Sequence, residues 1–499
     1  MIRTCKFLIV FTVVLLGFSC RESHLTSINI YHTSGAGGMY YSRPEPVYDN
    51  QQAGGYGVLK SYYEKEYGKK ILLDSGDWFS QTPEGAIGKG SVALSAMGKI
   101  GYDGTGISYT DLVIGWTALA QSIKSAQFPV ISSNLKTSKG APPAHVNKFI
   151  IKDVNGIKIG IFSLVVKTSL PGTQTRLGDV TITPDVDAAL QTVDELKNKE
   201  VDTIILLADI GENEENYSER DLAEQVEGID IILGSASPGE EAALEEHNSV
   251  YIVRTAPFLT EVSKLTVKYN SDKKISAIDF DSIPLLKERY GEDEEVKKEI
   301  DSLRQVTHRK LNNMVTDAHD DIADIDNAPA YLGEIVAGCM KEWGKSDIGI
   351  INSDSLRASI KKGKITEYSL YELYPYNDTI MSIRIRGDEI KNVLERSIVS
   401  RNNFPQIAGM TVEYDSKAAE GDKIKNILIN GRKVSPNMIY RMSTTDHIVA
   451  GGFGHDEFVN VVEFKNTRVD VRTVLRQCLS KKKKGINNQE PSGWKDISK

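Results

Sequence analysis

The chain has 499 residues, a length that favours two domains over one. Hydrophobic residues make up 40% and charged residues 26%, which is normal for a globular protein and enough to bury real cores. The formal net charge of −8 argues against nucleic acid as the main partner.

The first 20 residues have the pattern of a bacterial lipoprotein signal. Arg3 and Lys6 supply positive charge, Phe7–Leu16 is apolar but short for a membrane-spanning helix, and Leu16–Cys20 resembles a lipobox. We predict that Cys20 is the lipidated first residue of an exported chain of net charge −10, anchored to a membrane of the cell envelope on its periplasmic side or at the outer membrane surface. The alternative is an ordinary secretory signal with a fortuitous cysteine.

Between residues 28 and 283, short apolar runs alternate with amphipathic stretches such as Val186–Leu196, which predicts a layered α/β domain. The predicted strands are Ile28–His32, Ile71–Asp74, Phe128–Ser132, Ile157–Phe162, Thr203–Leu207, Asp230–Leu233 and Val250–Val253.

A charged stretch over residues 285–314 has apolar residues on one helix face, which predicts a linker helix. From about Asp326 a second domain begins with a helix whose apolar stripe includes Cys339, followed by strands at Ile348–Asn352, Ile380–Ile385 and Gly409–Tyr414. We expect Cys339 to be a buried thiol, although an exported chain permits a disulfide with Cys478. The run Lys481–Lys484 lies in a polar tail that we expect to be disordered.

Several strand-end segments of the first half carry a common pattern. They are Ile28–Gly38, Leu72–Asp77, Gly101–Val113, Leu207–Gly211 and Gly228–Pro238. In the same order, these segments resemble the metal-site motifs of the 5′-nucleotidase family of calcineurin-like phosphoesterases. The resemblance implies a four-layer α/β/β/α metallophosphoesterase-like domain over residues 21–284, a linker over 285–325, a smaller α+β domain over 326–479 and a basic tail over 480–499.

By this resemblance most ligands of the family's dinuclear metal centre are replaced. Gly35 and Gly37 stand at the positions of aspartate and histidine ligands, and the other replacements are Tyr109, Thr110, Asp209, Ala236 and Pro238. Asp77 alone keeps the residue of the family, at the position of the bridging aspartate. Glycine, alanine and proline side chains cannot coordinate a metal, so we expect no cofactor.

Two alternatives remain for the surviving carboxylates. Asp77, Asp111 and Asp209 could form a rebuilt site for one divalent cation, Mn²⁺, Zn²⁺, Co²⁺ or Mg²⁺. Otherwise Asp77 caps backbone N–H groups at its strand end.

The second half resembles the family's nucleotide-binding domain. Asn352 and Arg357 are kept in a loop that has lost both glycines, and Arg357 would contact substrate unless it forms a surface salt bridge. The remaining residues that the resemblance places at the substrate are Arg386, Phe404, Gln406 and His447. Phe404 and His447 would stack on a base from two sides.

These features favour an exported pseudoenzyme that binds a nucleotide-like small molecule or a protein partner, because the family's chemistry relies on metal-activated water. The second hypothesis is an active nucleotide hydrolase with a rebuilt metal site. The third is a surface interaction protein whose pocket is vestigial.

Overall fold

The computed structural model describes residues 26–79, 82–166, 177–210, 217–237, 240–323, 328–399, 404–449 and 461–498. The predicted signal and Cys20 lie outside these residues, so lipidation stays a prediction. Within these ranges no helix combines the length and apolar character that crossing a bilayer requires.

The first half of the chain alternates strands and helices, as its apolar pattern predicts. Its strands are β1 Thr26–Thr33, β2 Arg43–Glu45, β3 Gln51–Ala53, β4 Lys70–Asp74, β5 Gly104–Thr105, β6 Val130–Ile131, β7 Leu135–Thr137, β8 Val146–Asn147, β9 Phe149–Val154, β10 Ile157–Ser163, β11 Val180–Ile182, β12 Thr203–Leu207, β13 Ile231–Ser235, β14 Ala243–His247, β15 Val250–Thr255, β16 Glu261–Tyr269 and β17 Ile275–Pro284. Its helices are α1 Tyr56–Tyr63, α2 Pro83–Gly88, α3 Ser91–Ile100, α4 Trp116–Ile123, α5 Asp185–Lys197 and α6 Glu219–Gln225.

Among the described residues, these strands form two large sheets, ordered β17-β16-β1-β4-β5-β6-β8 and β14-β15-β13-β12-β10-β9. Strands β1, β4, β5, β6 and β8 are parallel, and so are β10, β12, β13 and β15. The carboxyl ends of parallel neighbours meet at one sheet edge, where Thr33 lies beside Asp74. Loops leaving that edge are therefore brought together.

The two sheets pack face to face through aliphatic side chains. Ile28 and Ile30 of β1 and Ile71 of β4 meet Ile161 of β10 and Ile205 of β12 in one buried cluster. Helices α1, α3 and α4 cover the outer face of the first sheet, and α5 and α6 cover that of the second. The prediction of an α/β/β/α four-layer domain is confirmed.

The second half begins with helices that lie within the predicted linker. Its helices are α7 Lys287–Tyr290, α8 Glu294–Leu311, α9 Tyr331–Gly344, α10 Glu367–Leu373, α11 Gly387–Ser397, α12 Asp446–Val449 and α13 Val471–Leu479. Its strands are β18 Met314–Ala318, β19 Ile348–Asn352, β20 Gly363–Thr366, β21 Thr379–Arg386, β22 Pro405–Ala408, β23 Met410–Tyr414, β24 Ile424–Ile429, β25 Arg432–Lys433, β26 Ile439–Thr445, β27 Glu463–Asp470 and β28 Trp494–Asp496.

The described strands of this half form a mixed sheet, β22-β19-β26-β21-β27, and a smaller sheet, β25-β24-β23-β28. Helices α9 and α13 share one apolar cluster with the mixed sheet, and the side chains of α11 join a second cluster between the sheets. This mixed arrangement is the expected smaller α+β domain. Its boundaries stay predictions.

The bonding state of the two cysteines of the second half differs from the prediction. Cys339 in α9 and Cys478 in α13 form a disulfide, with their Cα atoms 5.5 Å apart. The prediction of a buried free thiol at Cys339 is therefore wrong. Because both cysteines are buried between packed helices, their apolar surroundings look the same in the sequence whether or not they are bonded.

The prediction of a disordered tail over residues 480–499 is also wrong for residues 480–498. Trp494 begins β28, which pairs in parallel with β23, and its Nε1 donates to the carbonyl of Pro405 at 2.9 Å. The contacts of a partly buried tryptophan and the pairing of its strand therefore hold a segment whose polar composition suggested no such contacts.

The disulfide gives a direct stability prediction. Replacing Cys339 and Cys478 together by serine should lower the free energy of unfolding by about 2–4 kcal/mol in urea, because the cross-link restricts the unfolded chain. Dithiothreitol should destabilise the wild-type protein and leave the double variant unchanged. An unchanged urea midpoint of the wild type in dithiothreitol would contradict the cross-link.

Candidate functional site

The loop after β1 is held by its backbone rather than by side chains. Gly35 and Gly37 have positive φ angles, 59° and 56°, and their N–H groups donate to the carbonyls of Gly76 and Asp77 at 3.0 and 2.8 Å. A Cβ atom at position 35 would lie 3.1 Å from both Pro257 Cβ and Ser235 Oγ. The backbone here thus adopts a conformation that favours glycine, with little room for a larger side chain.

Asp111 organises the loop after β4. Its Oδ2 accepts from the N–H groups of Asp77 and Ser108 at 2.9 and 3.0 Å, and its Oδ1 accepts from the N–H of Trp78 at 2.9 Å. The side chain is fully buried, and burial together with the charge of Asp77 raises its pKa to about 7, against the opposing effect of these hydrogen bonds. Asp111 is therefore a structural anchor of the loop.

A second buried carboxylate, Asp74, was not selected from the sequence as a site residue. Its Oδ1 accepts from the N–H of Gly76 at 2.9 Å and from Thr105 Oγ1 at 2.8 Å, and its Oδ2 accepts from Thr33 Oγ1 at 2.7 Å. Burial raises its pKa to about 6 although these donors favour the charged form. Its position in Leu72–Asp77, directly at the end of β4, was the signal that could have found it.

Asp77 lies in the loop after β4 and has a positive φ of 57°. Its Oδ1 accepts from Thr110 Oγ1 at 3.0 Å. Asp209, which follows β12 at the neighbouring sheet edge, has a pKa well above its ordinary value because of burial and the charges of Asp77 and Asp111. The fold therefore brings the three selected carboxylates into one region.

These residues do not fit the dinuclear metal centre that the resemblance implies. In the described part of the chain, no three His, Cys, Asp or Glu side chains are placed to hold one metal ion. The carboxylate of Asp111 is occupied by backbone donors, and Gly35 offers no ligand atom. Pro238 lies outside the described residues, and Ala236 after β13 is buried and apolar.

His32 is a further site residue that sequence reasoning missed. It is fully buried at the end of β1, with Nδ1 2.6 Å from Thr255 Oγ1 and Nε2 2.8 Å from Ser75 Oγ. Ser75 in turn donates to the carbonyl of Leu233 at 2.7 Å. Burial lowers the pKa of His32 to about 3, so the imidazole is neutral and joins both sheets through hydroxyl groups.

The loop after β19 carries Asn352 and Arg357, and the arginine has a partner within the loop. Arg357 Nη1 lies 3.2 Å from Asp354 Oδ1, in an ion pair within the loop. Tyr376 lies nearby, and burial together with the charges of Asp354 and Asp77, against that of Arg357, raises its pKa to about 12. Tyr376 therefore lies within electrostatic reach of both this loop and Asp77.

Arg386 and Gln406 have protein partners in the structure, and their place at the substrate stays a prediction. Arg386, at the start of α11, is exposed and forms an ion pair with Asp388. Gln406 is buried, with Oε1 accepting from the N–H of Ala330 at 2.9 Å and Nε2 donating to the carbonyl of Ala328 at 2.8 Å. Gln406 thus holds the start of α9 against β22.

The two halves of the expected aromatic clamp have different surroundings. Phe404 is only 7% exposed and packs against Trp494, with ring centroids 4.9 Å apart, and against Tyr414 at 6.3 Å. His447 is half-buried in α12, and the following segment 450–460 lies outside the described residues. Stacking on a base stays a prediction.

The comparisons with known proteins agree with this fold. Residues 304–460 match the model of the 5′-nucleotidase C-terminal domain. A 5′-nucleotidase of Vibrio parahaemolyticus is 24% identical over 87% of this chain and 86% of its own length. The trifunctional nucleotide phosphoesterase protein of Bacillus subtilis is 25% identical over 79% of this chain, which spans 30% of that longer protein.

Solved structures resemble the whole described architecture. The 5′-nucleotidase precursor from Thermus thermophilus covers 95% of this chain and 100% of its own, with a TM-score of 0.74 at 19% identity. A putative 5′-nucleotidase from Staphylococcus aureus covers 94% of this chain and 100% of its own, with a TM-score of 0.76 at 16% identity. At these identities the likeness shows the fold.

The raised pKa of Asp111 predicts a pH dependence of stability. An aspartate in the unfolded chain titrates near pH 4, so between about pH 4 and pH 7 the folded protein retains a proton that the unfolded chain has lost. The contribution of Asp111 to the free energy of unfolding is thus greatest at low pH and falls as pH rises through this window. When the pH rises from 4.5 to 8, the free energy of unfolding of the wild type should fall by about 1 kcal/mol or more relative to that of Asp111→Asn.

The measurement is urea unfolding of both proteins across this pH range. Asp272→Asn, at an exposed turn, is the matched control and should keep the wild-type dependence. Parallel curves for wild type and Asp111→Asn would show that Asp111 does not titrate in this window.

Proposed function

We propose, from the premise that this chain belongs to the 5′-nucleotidase family, that it has lost the family's dinuclear-metal phosphoesterase chemistry. Its role is to bind a nucleotide-like small molecule or a protein partner. The protein acts in the cell envelope, exported and held there by a lipid on Cys20.

The observation that carries this proposal is the hydrogen bonding of Asp111. Its two oxygens accept three backbone N–H groups, so moving it to a metal would leave buried donors without partners. Each such donor costs about 1–3 kcal/mol. Gly35 adds a second obstacle, because an aspartate ligand there would need a left-handed backbone and would crowd Pro257.

The second half supports a binding role better than a catalytic one. Asn352 and Arg357 remain, and the N–H of Ser353 donates to the carbonyl of Phe404 at 3.0 Å, which joins the loop to the aromatic strand end. Asp354 already partners Arg357, so a phosphate would have to displace a carboxylate. This favours a ligand recognised by its base and sugar.

One observation favours the alternative of an active hydrolase with a rebuilt site. The charges of Asp77 and Asp111 both raise the pKa of Asp209, so the three carboxylates lie in one region. A single divalent cation could draw them together after Asp111 releases its backbone donors.

Hydrolysis of 5′-AMP and UDP-glucose by the purified chain tests the proposal, with Mn²⁺, Zn²⁺, Co²⁺ or Mg²⁺ added in turn. We expect phosphate release at the rate of the matched variant Asp77→Asn, because neither protein activates water on a metal. Turnover in any metal that falls at least 100-fold in Asp77→Asn would contradict the loss of chemistry.

Unfolding of the same samples with and without nucleotides distinguishes a nucleotide-like ligand from a protein partner. A nucleotide-like ligand at 100 times its Kd should raise the free energy of unfolding by about 2.7 kcal/mol. Adenosine, AMP and UDP-glucose are the probes, and Arg357→Ala is the variant that tests the loop. No shift with any of them favours a protein partner and a vestigial pocket.

A further inference from the structure

Two lysine-rich segments that are distant in sequence lie on either side of β18. Ala318 in β18 is bridged to Gly363 of β20 on one side and to Ile486 on the other. Neighbouring strands lie about 4.8 Å apart, so the two flanking segments are about 10 Å from each other. This separation is comparable with the Debye length of about 8 Å at physiological salt, so their charges act partly together.

The lysine run after α13 is held in place. Thr316 Oγ1 donates to the carbonyl of Lys482 at 2.8 Å, and the N–H of Ile486 donates to the carbonyl of Asp317 at 2.8 Å. The disulfide at Cys478 fixes the helix end just before the run. A segment whose sequence suggested a disordered tail therefore presents its charges from a defined position.

We define the basic surface as the exposed lysines of these two segments, Lys361, Lys362, Lys364, Lys481, Lys482, Lys483 and Lys484. The carboxylates around it are Asp317, Asp320, Asp321 and Glu342. Seven lysines and four carboxylates leave a local charge of +3 on a chain whose formal charge is −8. In the described part of the chain, the ion pairs of this surface join Lys361 to Asp321 and Lys481 to Glu342.

We propose that this basic surface binds the anionic headgroups of a phospholipid bilayer. A lysine is a compact charge on a flexible stem, and it lacks the planar fork with which arginine grips a single phosphate. Such an array suits many phosphates spread over a surface. The two segments contain no aromatic residue on which a nucleic-acid base could stack.

The contact is separate from lipidation at Cys20 and does not depend on the proposed loss of catalysis. An acyl chain and a basic patch together anchor a protein more firmly than one acyl chain alone. A bound bilayer would also orient the second half of the chain towards the membrane through the face that carries β18 and β20.

Co-sedimentation with vesicles tests the proposal, using the exported protein with Cys20→Ser so that no lipid contributes. The vesicles contain phosphatidylcholine alone or with about one third phosphatidylglycerol, a composition that supplies anionic headgroups. We expect binding to the anionic vesicles alone, weakening as salt rises. The triple variant Lys482→Gln, Lys483→Gln and Lys484→Gln should bind at least 10-fold more weakly, since each lysine near such a surface contributes about fivefold.

Two controls keep the test specific. The first control neutralises three exposed lysines of the first half, Lys69, Lys124 and Lys139. It changes the net charge as much as the triple glutamine variant does, and it should leave binding to the vesicles unchanged. Replacing residues 482–484 by arginine should retain it. Equal binding by wild type and the glutamine variant would overturn the proposal. If inorganic phosphate at a few millimolar abolished the binding of the wild type to vesicles, the proposal would also be overturned. That result would identify a site for free phosphate.

Discussion

The structure of the site depends on one buried carboxylate. Asp111 receives the backbone N–H groups of Asp77, Trp78 and Ser108, and so fixes the loop that leaves β4. A carboxylate in a buried loop of this kind either accepts backbone donors or binds a cation, because its lone pairs are limited. In Asp111 both oxygens accept hydrogen bonds from backbone N–H groups.

The neighbouring residues follow the same logic. Asp74 is surrounded by hydroxyl and N–H donors, and neutral His32 joins the two sheets through Thr255 and Ser75. Asp74 and His32 are thus satisfied by internal hydrogen bonds, which stabilise the fold. These bonds maintain the architecture of the sheet edge, where Gly35 and Ala236 offer no side-chain ligand atoms.

Sequence reasoning predicted the layered first half well, since apolar runs such as Thr203–Leu207 are strands at the predicted residues. It left open whether Asp77, Asp111 and Asp209 share one site, and that stays a hypothesis. It could not assign Asp111 to backbone donors, because two of the three donors come from residues 33 and 34 positions away. The same limit applies to Gln406, whose amide contacts lie at positions 328 and 330.

The disulfide and the C-terminal segment show the complementary limit. Cys339 and Cys478 are 139 residues apart, and local pattern carries no information about such a pairing. The polar composition of the tail predicts disorder, whereas a few contacts of Trp494 with β22 and β23 determine its position. Composition describes the average polarity of a segment, but the contacts of one side chain such as Trp494 can fix its position.

The most direct test of the account is calorimetric titration of the purified chain with Mn²⁺ and Zn²⁺ at pH 7. We expect no stoichiometric binding, because Asp111 accepts hydrogen bonds from the backbone and the side chains at Gly35 and Ala236 supply no ligand atoms. Binding of about one ion per chain that disappears in both Asp77→Asn and Asp209→Asn would show that the carboxylates had been rebuilt into a metal site, and would contradict the account.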